Sequence, residues 1–241
     1  MKIKELYNLY SKNFLVDTDT RKIRENSIFF SLKGENFNGN KFAKKALDIG
    51  ARYAIIDEEE YKTDPNIILV DNVLETLQGL ANYHRNELKI PIVGLTGSNG
   101  KTTTKELINA ILSKKYNTTA TTGNLNNHIG VPLTLLSMTS ETEIGIVEMG
   151  ANHQKEIAFL CSICEPDFGY ITNFGKAHLE GFGGIEGVIK GKSELYAYLK
   201  KNNKTAFINT EDSIQVEKTE KTNTITFNKN LSFLEVNPFV K

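Results

Sequence analysis

Apolar and polar positions follow two rhythms along the chain. Short apolar runs bounded by Gly, Pro or Asp read as buried strands, and apolar residues every three or four positions read as helices. Ser27–Leu32, which ends at Gly34, Tyr53–Asp57 and Ile67–Val70 have strand length. Between them Lys41–Leu47, ending at Gly50, has helical spacing. Leu74, Leu77, Leu80 and Tyr83 mark a long helix that Asp71 is placed to cap. Ile90-Pro91-Ile92-Val93 reads as the next strand and Lys105–Leu112 as the next helix. Strands are then expected at Ile144–Met149, Asp167–Asn173 and Thr205–Asn209, with helices at Gln154–Cys164 and Ile185–Lys200. The polar stretch 211–223 reads as a surface loop. Regular alternation of this kind predicts an α/β fold with a parallel sheet covered by helices. A division near residue 88 separates a small N-terminal α/β domain, 1–87, from a parallel-sheet domain, 88–241.

The sharpest local feature lies between the strand at 90–93 and the helix at 105–112. Thr96-Gly97-Ser98-Asn99-Gly100-Lys101-Thr102-Thr103-Thr104 is a glycine-rich turn with Lys-Thr at its end. Strand, glycine turn and helix N-terminus together cradle phosphates, because backbone N–H groups converge on an anion. Gly97, Ser98, Asn99, Gly100, Lys101, Thr102 and Thr103 are therefore the candidate nucleotide-binding residues. Lys101 can reach the β- and γ-phosphates, and the Thr102 hydroxyl can sit on Mg²⁺. The spacing is a compact variant of the G-x-x-x-x-G-K-[ST] loop, since Leu95 occupies its first position.

Composition narrows the choice only modestly. The 241 residues are 39% hydrophobic and 24% charged, as in a globular protein. Lys+Arg and Asp+Glu both number 29, and this balance argues against a nucleic-acid partner. No apolar run approaches the ~20 residues of a membrane span. The start Met1-Lys2-Ile3-Lys4 lacks a secretory core, so the cytoplasm is the expected location. Cys161 and Cys164 form a lone C-x-x-C on an amphipathic helix, where packing is the expected role rather than redox or metal chemistry.

In open α/β sheets chemistry gathers at the carboxyl ends of strands. Glu148 closes one predicted strand and is placed to hold or orient Mg²⁺ beside the phosphate loop. Asn173 closes the next, and the following loop carries His178, a candidate metal ligand. Earlier, Gly123-Asn124-Leu125-Asn126-Asn127-His128 is an asparagine-rich loop suited to hydrogen bonding.

Taken together, these segments resemble the Mur ligases, the ATP-dependent amide-forming enzymes of bacterial peptidoglycan assembly. The resemblance rests on Thr96–Glu106, Gly123–Leu133, Glu148–His153 with Glu156-Ile157, Ala177–Gly183 and Gly191–Tyr196. Asp19-Thr20-Arg21 is similar to the family's D-S-R element, and Phe29–Phe42 to its F-F-A-L-x-G-x-x-x-D-G-x-x-F block. Asn38 stands where that block has aspartate. Met-Gly-Ala-Asn after Glu148 favours the dipeptide-adding branch, whose substrates are UDP-MurNAc-tripeptide and D-Ala-D-Ala.

The resemblance implies that the N-terminal domain binds the UDP end of the substrate through Thr20, Arg21, Lys33, Gly34 and Asn38, with Asn124 and Asn127 also contacting substrate. It implies ATP and two Mg²⁺ ions as cofactors, with Thr102, Glu148, His178 and Lys192 around the metals. Lys101, His178 and Lys192 are the implied catalytic residues, and Lys192 matches a lysine that the family carbamylates. The implied reaction transfers the γ-phosphoryl group to the tripeptide carboxylate, giving an acyl phosphate that the dipeptide amine attacks. Family members carry a third domain, so 88–241 is expected to be an incomplete ATP-binding domain that does not ligate alone. A different P-loop phosphotransferase or NTPase, and a non-catalytic UDP-sugar-binding remnant, remain the alternative readings.

Overall fold

A computed structural model describes residues 1–228 of the chain; residues 229–241, the end of the expected second domain, lie outside the described residues. The first part runs α1 (Ile3–Tyr10), β1 (Val16–Asp17), β2 (Ile28–Phe30), β3 (Lys33–Gly34), β4 (Phe37–Asn38), α2 (Ala43–Asp48), β5 (Tyr53–Ile56) and β6 (Ile67–Leu69). Strands β1, β2, β5 and β6 pair in that order, all parallel, while β3 and β4 form a small antiparallel hairpin. Phe29, Ala54, Ile56 and Ile67 bury one face of this sheet against Ala43 and Ala46 of α2. The apolar runs read as strands thus form strands, each trimmed to its hydrogen-bonded centre.

Helix α3 (Val73–Leu88) follows. Its N-cap is Asn72, whose side chain accepts from the Glu75 N–H, and this corrects the expected cap at Asp71. The adjacent asparagine has the extended backbone a cap requires. This helix joins both halves of the molecule, packing on α1 and β2 at one side and on later helices at the other. Its Arg85 donates to the carbonyls of Cys164 (3.1 Å) and Glu165 (2.9 Å) and to Asp167 (2.7 Å). One hydrophobic core runs from Leu6 and Tyr10 through Leu77 and Leu80 to Leu135, Leu160 and Leu199.

Beyond α3 come β7 (Ile92–Thr96), α4 (Lys101–Leu112), β8 (Thr118–Ala120), α5 (Gly130–Leu135), β9 (Ile144–Glu148), α6 (Glu156–Cys164), β10 (Phe168–Ile171), α7 (Leu179–Phe182), α8 (Ile185–Lys201), β11 (Thr205–Asn209), α9 (Ser213–Lys218) and β12 (Asn223–Phe227). Six strands form a parallel sheet in the order β12-β11-β10-β7-β9-β8. Strand β7 starts two residues later than the expected Ile90 and runs on to Thr96. Helix α4 begins at Lys101 rather than Lys105, so the Lys-Thr pair is already helical.

The stretch 211–223 is not a loop. Asp212 caps α9 by accepting from the N–H groups of Ile214 and Gln215, and β12 begins at Asn223. Gln215 is buried and donates to the Ile171 carbonyl at 3.0 Å. A polar residue does the inward-facing work here, which hydrophobic periodicity cannot register. Cys161 and Cys164 are free thiols buried against Met149, with sulfur separations of 3.8 and 3.7 Å. Burial pushes both thiols up, Cys164 to about 12, consistent with packing.

Candidate functional site

Strand β7 lies between β9 and β10. The connection leaving β7 runs towards β8, and that leaving its neighbour β10 runs the opposite way along the sheet, to β11. This divergence opens a crevice at the carboxyl ends, where open parallel sheets bind ligands. The glycine-rich turn 97–100 lies at that end of β7. Gly97 has φ +146°, and a Cβ there would collide with the Thr172 hydroxyl, so the position requires glycine. Gly100, at φ +74°, is the N-cap of α4 and offers no capping side chain. The first-turn N–H groups of α4 therefore face outward without a side-chain acceptor, as an anion site needs.

The turn is pinned from the next strand. Ser98 N–H donates to the Asn173 carbonyl (3.1 Å) and Ser98 Oγ to the Gly175 carbonyl (2.8 Å). Asn99 N–H donates to Asn173 Oδ1 (3.2 Å), while its carbonyl accepts from Thr172 Oγ1 (2.7 Å) and Asn173 Nδ2 (3.0 Å). Lys101 Nζ folds over the turn and donates to the carbonyls of Gly97 (2.9 Å) and Ser98 (3.2 Å). Burial lowers its pKa, and the nearby Glu148 partly opposes that.

Glu148, at the end of β9, is 1% exposed. Thr102 Oγ1 donates to its Oε2 at 3.1 Å, and Asn126 Nδ2 to its Oε1 at 2.8 Å. Its backbone N–H donates to Thr121 Oγ1 (3.0 Å), and the Thr121 carbonyl accepts from the fully buried Lys105 Nζ (2.6 Å). Thr102 and Asn126 thus fix the carboxylate and Thr121 its backbone; buried charges are paired or coordinate metals. Its partners Thr102 and Asn126 also carry oxygens, the donor type that Mg²⁺ prefers. No group of three or more His, Cys, Asp or Glu residues that could hold a metal occurs among the described residues. A hard cation there would draw the rest of its shell from water and phosphate.

A cavity of about 400 Å³ opens beside this carboxylate, and Lys101, Asn124, Asn127, Asn152, Glu156 and His178 are among its lining residues. Asn127 Oδ1 also accepts from the Ile129 and Gly130 N–H groups and so starts α5. His178 occupies the N-cap of α7 with φ +52°. No hydrogen bond joins it to Glu148 or Lys192 among the described residues. Lys192, on α8, is 1% exposed; its Nζ donates to the Ala151 carbonyl (3.1 Å) and lies 5.1 Å from the Phe182 ring centroid. Burial, then the Lys101 charge, push its amine down to about 8, while Glu156 and Glu194 pull the other way. Sequence reasoning did not assign Asn126, Thr121 or Lys105 to the site. Asn126 was visible within the asparagine loop, but only the fold shows which asparagine meets Glu148.

The remaining candidates follow the carboxyl ends of the four-stranded sheet. Thr20 and Arg21 lie in a single 3₁₀ turn capped by Asp19, and Arg21 Nη2 pairs with Asp19 at 2.7 Å. Lys33 Nζ pairs with Asp57 (2.9 Å) and Glu58 (3.3 Å). Asn38 Nδ2 donates to Glu58 (2.8 Å), and its Oδ1 accepts from Asn40 N–H and Nδ2. Gly34 ends β3.

Fold and site define an α/β protein with a glycine-rich strand-to-helix turn set beside a buried carboxylate. The Mur ligase middle domain matches residues 95–236, and the Mur ligase family catalytic domain matches residues 15–85. The chain belongs to the Mur ligase family. It is 41% identical over 202 residues to the UDP-N-acetylmuramoyl-tripeptide–D-alanyl-D-alanine ligase of Bacillus subtilis, covering 83% of this chain and 44% of that protein. The Escherichia coli ligase of the same name is 43% identical over 187 residues, covering 78% and 41%. The MurF ligase of Thermotoga maritima, solved in complex with ADP, superposes with a TM-score of 0.80 at 34% identity, covering 90% of this chain and 50% of that one. The chain thus spans less than half the length of these curated relatives. Among the described residues no helix is long and apolar enough to cross a membrane.

Proposed function

We propose that this chain carries the UDP-substrate and ATP sites of a ligase that joins D-Ala-D-Ala to UDP-MurNAc-tripeptide. The observation that carries the reading is the meeting of Thr102 and Asn126 on buried Glu148, directly beside the Gly97–Thr103 turn. A carboxylate and an amine do not condense unaided in water, so the tripeptide carboxylate is first phosphorylated by ATP. The amine of the dipeptide then attacks the acyl carbon and phosphate leaves.

Each side chain has work in that sequence. The turn amides and the α4 N-terminus hold the β- and γ-phosphates. Lys101 leaves the Gly97 and Ser98 carbonyls to contact the transferring phosphoryl group, offsetting the repulsion between two anions. Thr102 and Glu148 would hold Mg²⁺, with His178 and Lys192 near a second ion. When bound, the metal neutralises phosphate charge. Lys192 has a partly neutral amine, the form that reacts with CO₂, so the environment suits carbamylation. Asn124 and Asn127 line the cavity expected to take the peptide end.

In this reading residues 1–87 bind the UDP end and the residues from 88 onward bind ATP. Arg21 exchanges Asp19 for a phosphate, and Thr20, Lys33, Gly34 and Asn38 line the same edge. The test is titration calorimetry with ATP·Mg²⁺. Lys101→Ala, with the fold verified by circular dichroism, should weaken binding at least tenfold. Unchanged affinity would remove the phosphate-loop assignment.

A further inference from the structure

The loop 150–155 follows Glu148 directly, and Gly150, Ala151 and Asn152 line the cavity. Helix α6 starts from Lys155, which has φ +73° and caps nothing with its own side chain. The cap comes instead from α8, almost forty residues later. Glu194 Oε1 accepts from the Lys155 N–H at 2.6 Å, and its Oε2 accepts from the Ala158 N–H at 2.9 Å. An anion at a helix N-terminus is favoured by both the free N–H groups and the helix dipole.

Further bonds fix the rest of the loop. Glu156 Oε2 accepts from the Asn152 N–H (2.6 Å) and the His153 N–H (3.1 Å). Gly150 N–H donates to the Asn126 carbonyl at 2.7 Å, and Gln154 Nε2 to the Phe182 carbonyl at 3.3 Å. The Ala151 carbonyl accepts from Lys192 Nζ at 3.1 Å. Helix α8 therefore grips the loop twice, through the Lys192 amine and the Glu194 carboxylate.

We infer that Glu194 is a positioning residue: its carboxylate holds the first turn of α6, and with it the loop 150–155, against the helix that carries Lys192. The role rests on the ligase reading, because the loop it sets lines the proposed substrate cavity. Glu194 touches no reacting atom. It acts through the loop backbone, by accepting from the Lys155 and Ala158 N–H groups. Two N–H donors face two carboxylate oxygens, so Glu194→Gln leaves one donor unaccepted in either amide orientation while keeping the side chain's size.

The experiment compares the whole chain with its Glu194→Gln and Glu194→Asp variants by amide exchange. Exchange at 152–158 should rise at least tenfold, with α1 and α4 unchanged. Glu194→Asp, which keeps the charge, should give exchange between wild type and Glu194→Gln, which loss of packing alone would not produce. ATP·Mg²⁺ affinity should stay within twofold. Unchanged exchange at 152–158, or equally faster exchange throughout the chain, would each overturn the proposal. If Glu194→Gln does not fold, Glu194→Asp decides, since it keeps the charge but shortens the reach. Loop exchange equal to wild type in that variant would overturn the clamp. Failure of the unsubstituted chain to bind ATP·Mg²⁺ is a separate result, which overturns the ligase reading and with it the role assigned to the loop.

Discussion

At the carboxyl edge of the four-stranded sheet the Arg21 side chain is 85% exposed and is held by Asp19, its neighbour two residues away. At the same edge of the six-stranded sheet Glu148 is 1% exposed and is held by Thr102 and Asn126, which come from two other elements. The Arg21–Asp19 pair is local and solvated, whereas the contacts of Glu148 are long-range and lie in a dry interior. Exposed pairs contribute little to stability and exchange partners easily, as the substrate role proposed for Arg21 requires. Buried contacts hold geometry before a ligand arrives, as the phosphoryl chemistry proposed beside Glu148 requires. The two edges should therefore respond very differently to substitution.

The largest effect is expected at Gly97. Gly97→Ala forces a side chain against the Thr172 hydroxyl at φ +146°. It should cost roughly 3 kcal/mol of unfolding free energy and abolish ATP binding, measured by urea denaturation and calorimetry. A stable variant with normal affinity would show that the turn is softer than its contacts imply.

Asp167 probes the seam between the halves. It accepts from Arg85 (2.7 Å), the Ile92 N–H (3.0 Å) and Lys204 (2.6 Å). Asp167→Asn should lower stability by about 2 kcal/mol, because part of a largely buried ion pair is left unmatched. A loss confined to one half of the molecule, read by amide exchange, would count against α3 as a common core element.

His84 lies in the same seam, with Nε2 2.9 Å from the Met138 carbonyl and Nδ1 3.4 Å from Tyr7 Oη. Burial lowers its pKa, so the folded protein holds it neutral while the unfolded chain titrates near its usual value of about 6.5. Below that pH the unfolded state binds more protons, so stability should fall as pH drops and should level off once the folded group also protonates. Replacement by Gln should flatten this part of the pH profile. An unchanged slope between pH 7 and 5 would assign the acid sensitivity elsewhere.

The smallest effect is expected at the exposed edge. Arg21→Ala should leave the thermal midpoint unaltered while weakening UDP-MurNAc-tripeptide binding several-fold. A shift in the midpoint without a change in affinity would reverse the contrast drawn between the two sheets.

Much of this contrast was legible in the residues. The turn 96–104, the strands around it and the burial of Cys161 and Cys164 follow from local pattern. What escaped depends on partners distant in sequence. Helix α5 is too short for its period to register, and α9 presents Gln215 rather than an apolar residue to the interior. The cap at Asn72 rather than Asp71 turns on backbone geometry that composition does not specify. Asn126 could be told from Asn124 and Asn127 only when β9 brought Glu148 beside it. Glu194 reads as an exposed helix carboxylate until α6 is seen to begin against it.

The central claim is that Glu148, set by Thr102 and Asn126, makes the phosphate loop a metal-dependent nucleotide site. Calorimetric titration of the chain and of its Glu148→Gln variant with ATP, with and without Mg²⁺, tests it most directly. The wild-type chain should bind ATP more tightly with Mg²⁺ present. Glu148→Gln should lose at least tenfold of that metal-dependent gain while binding metal-free ATP as well as before. Equal Mg²⁺-dependent gains in two folded proteins would contradict the account.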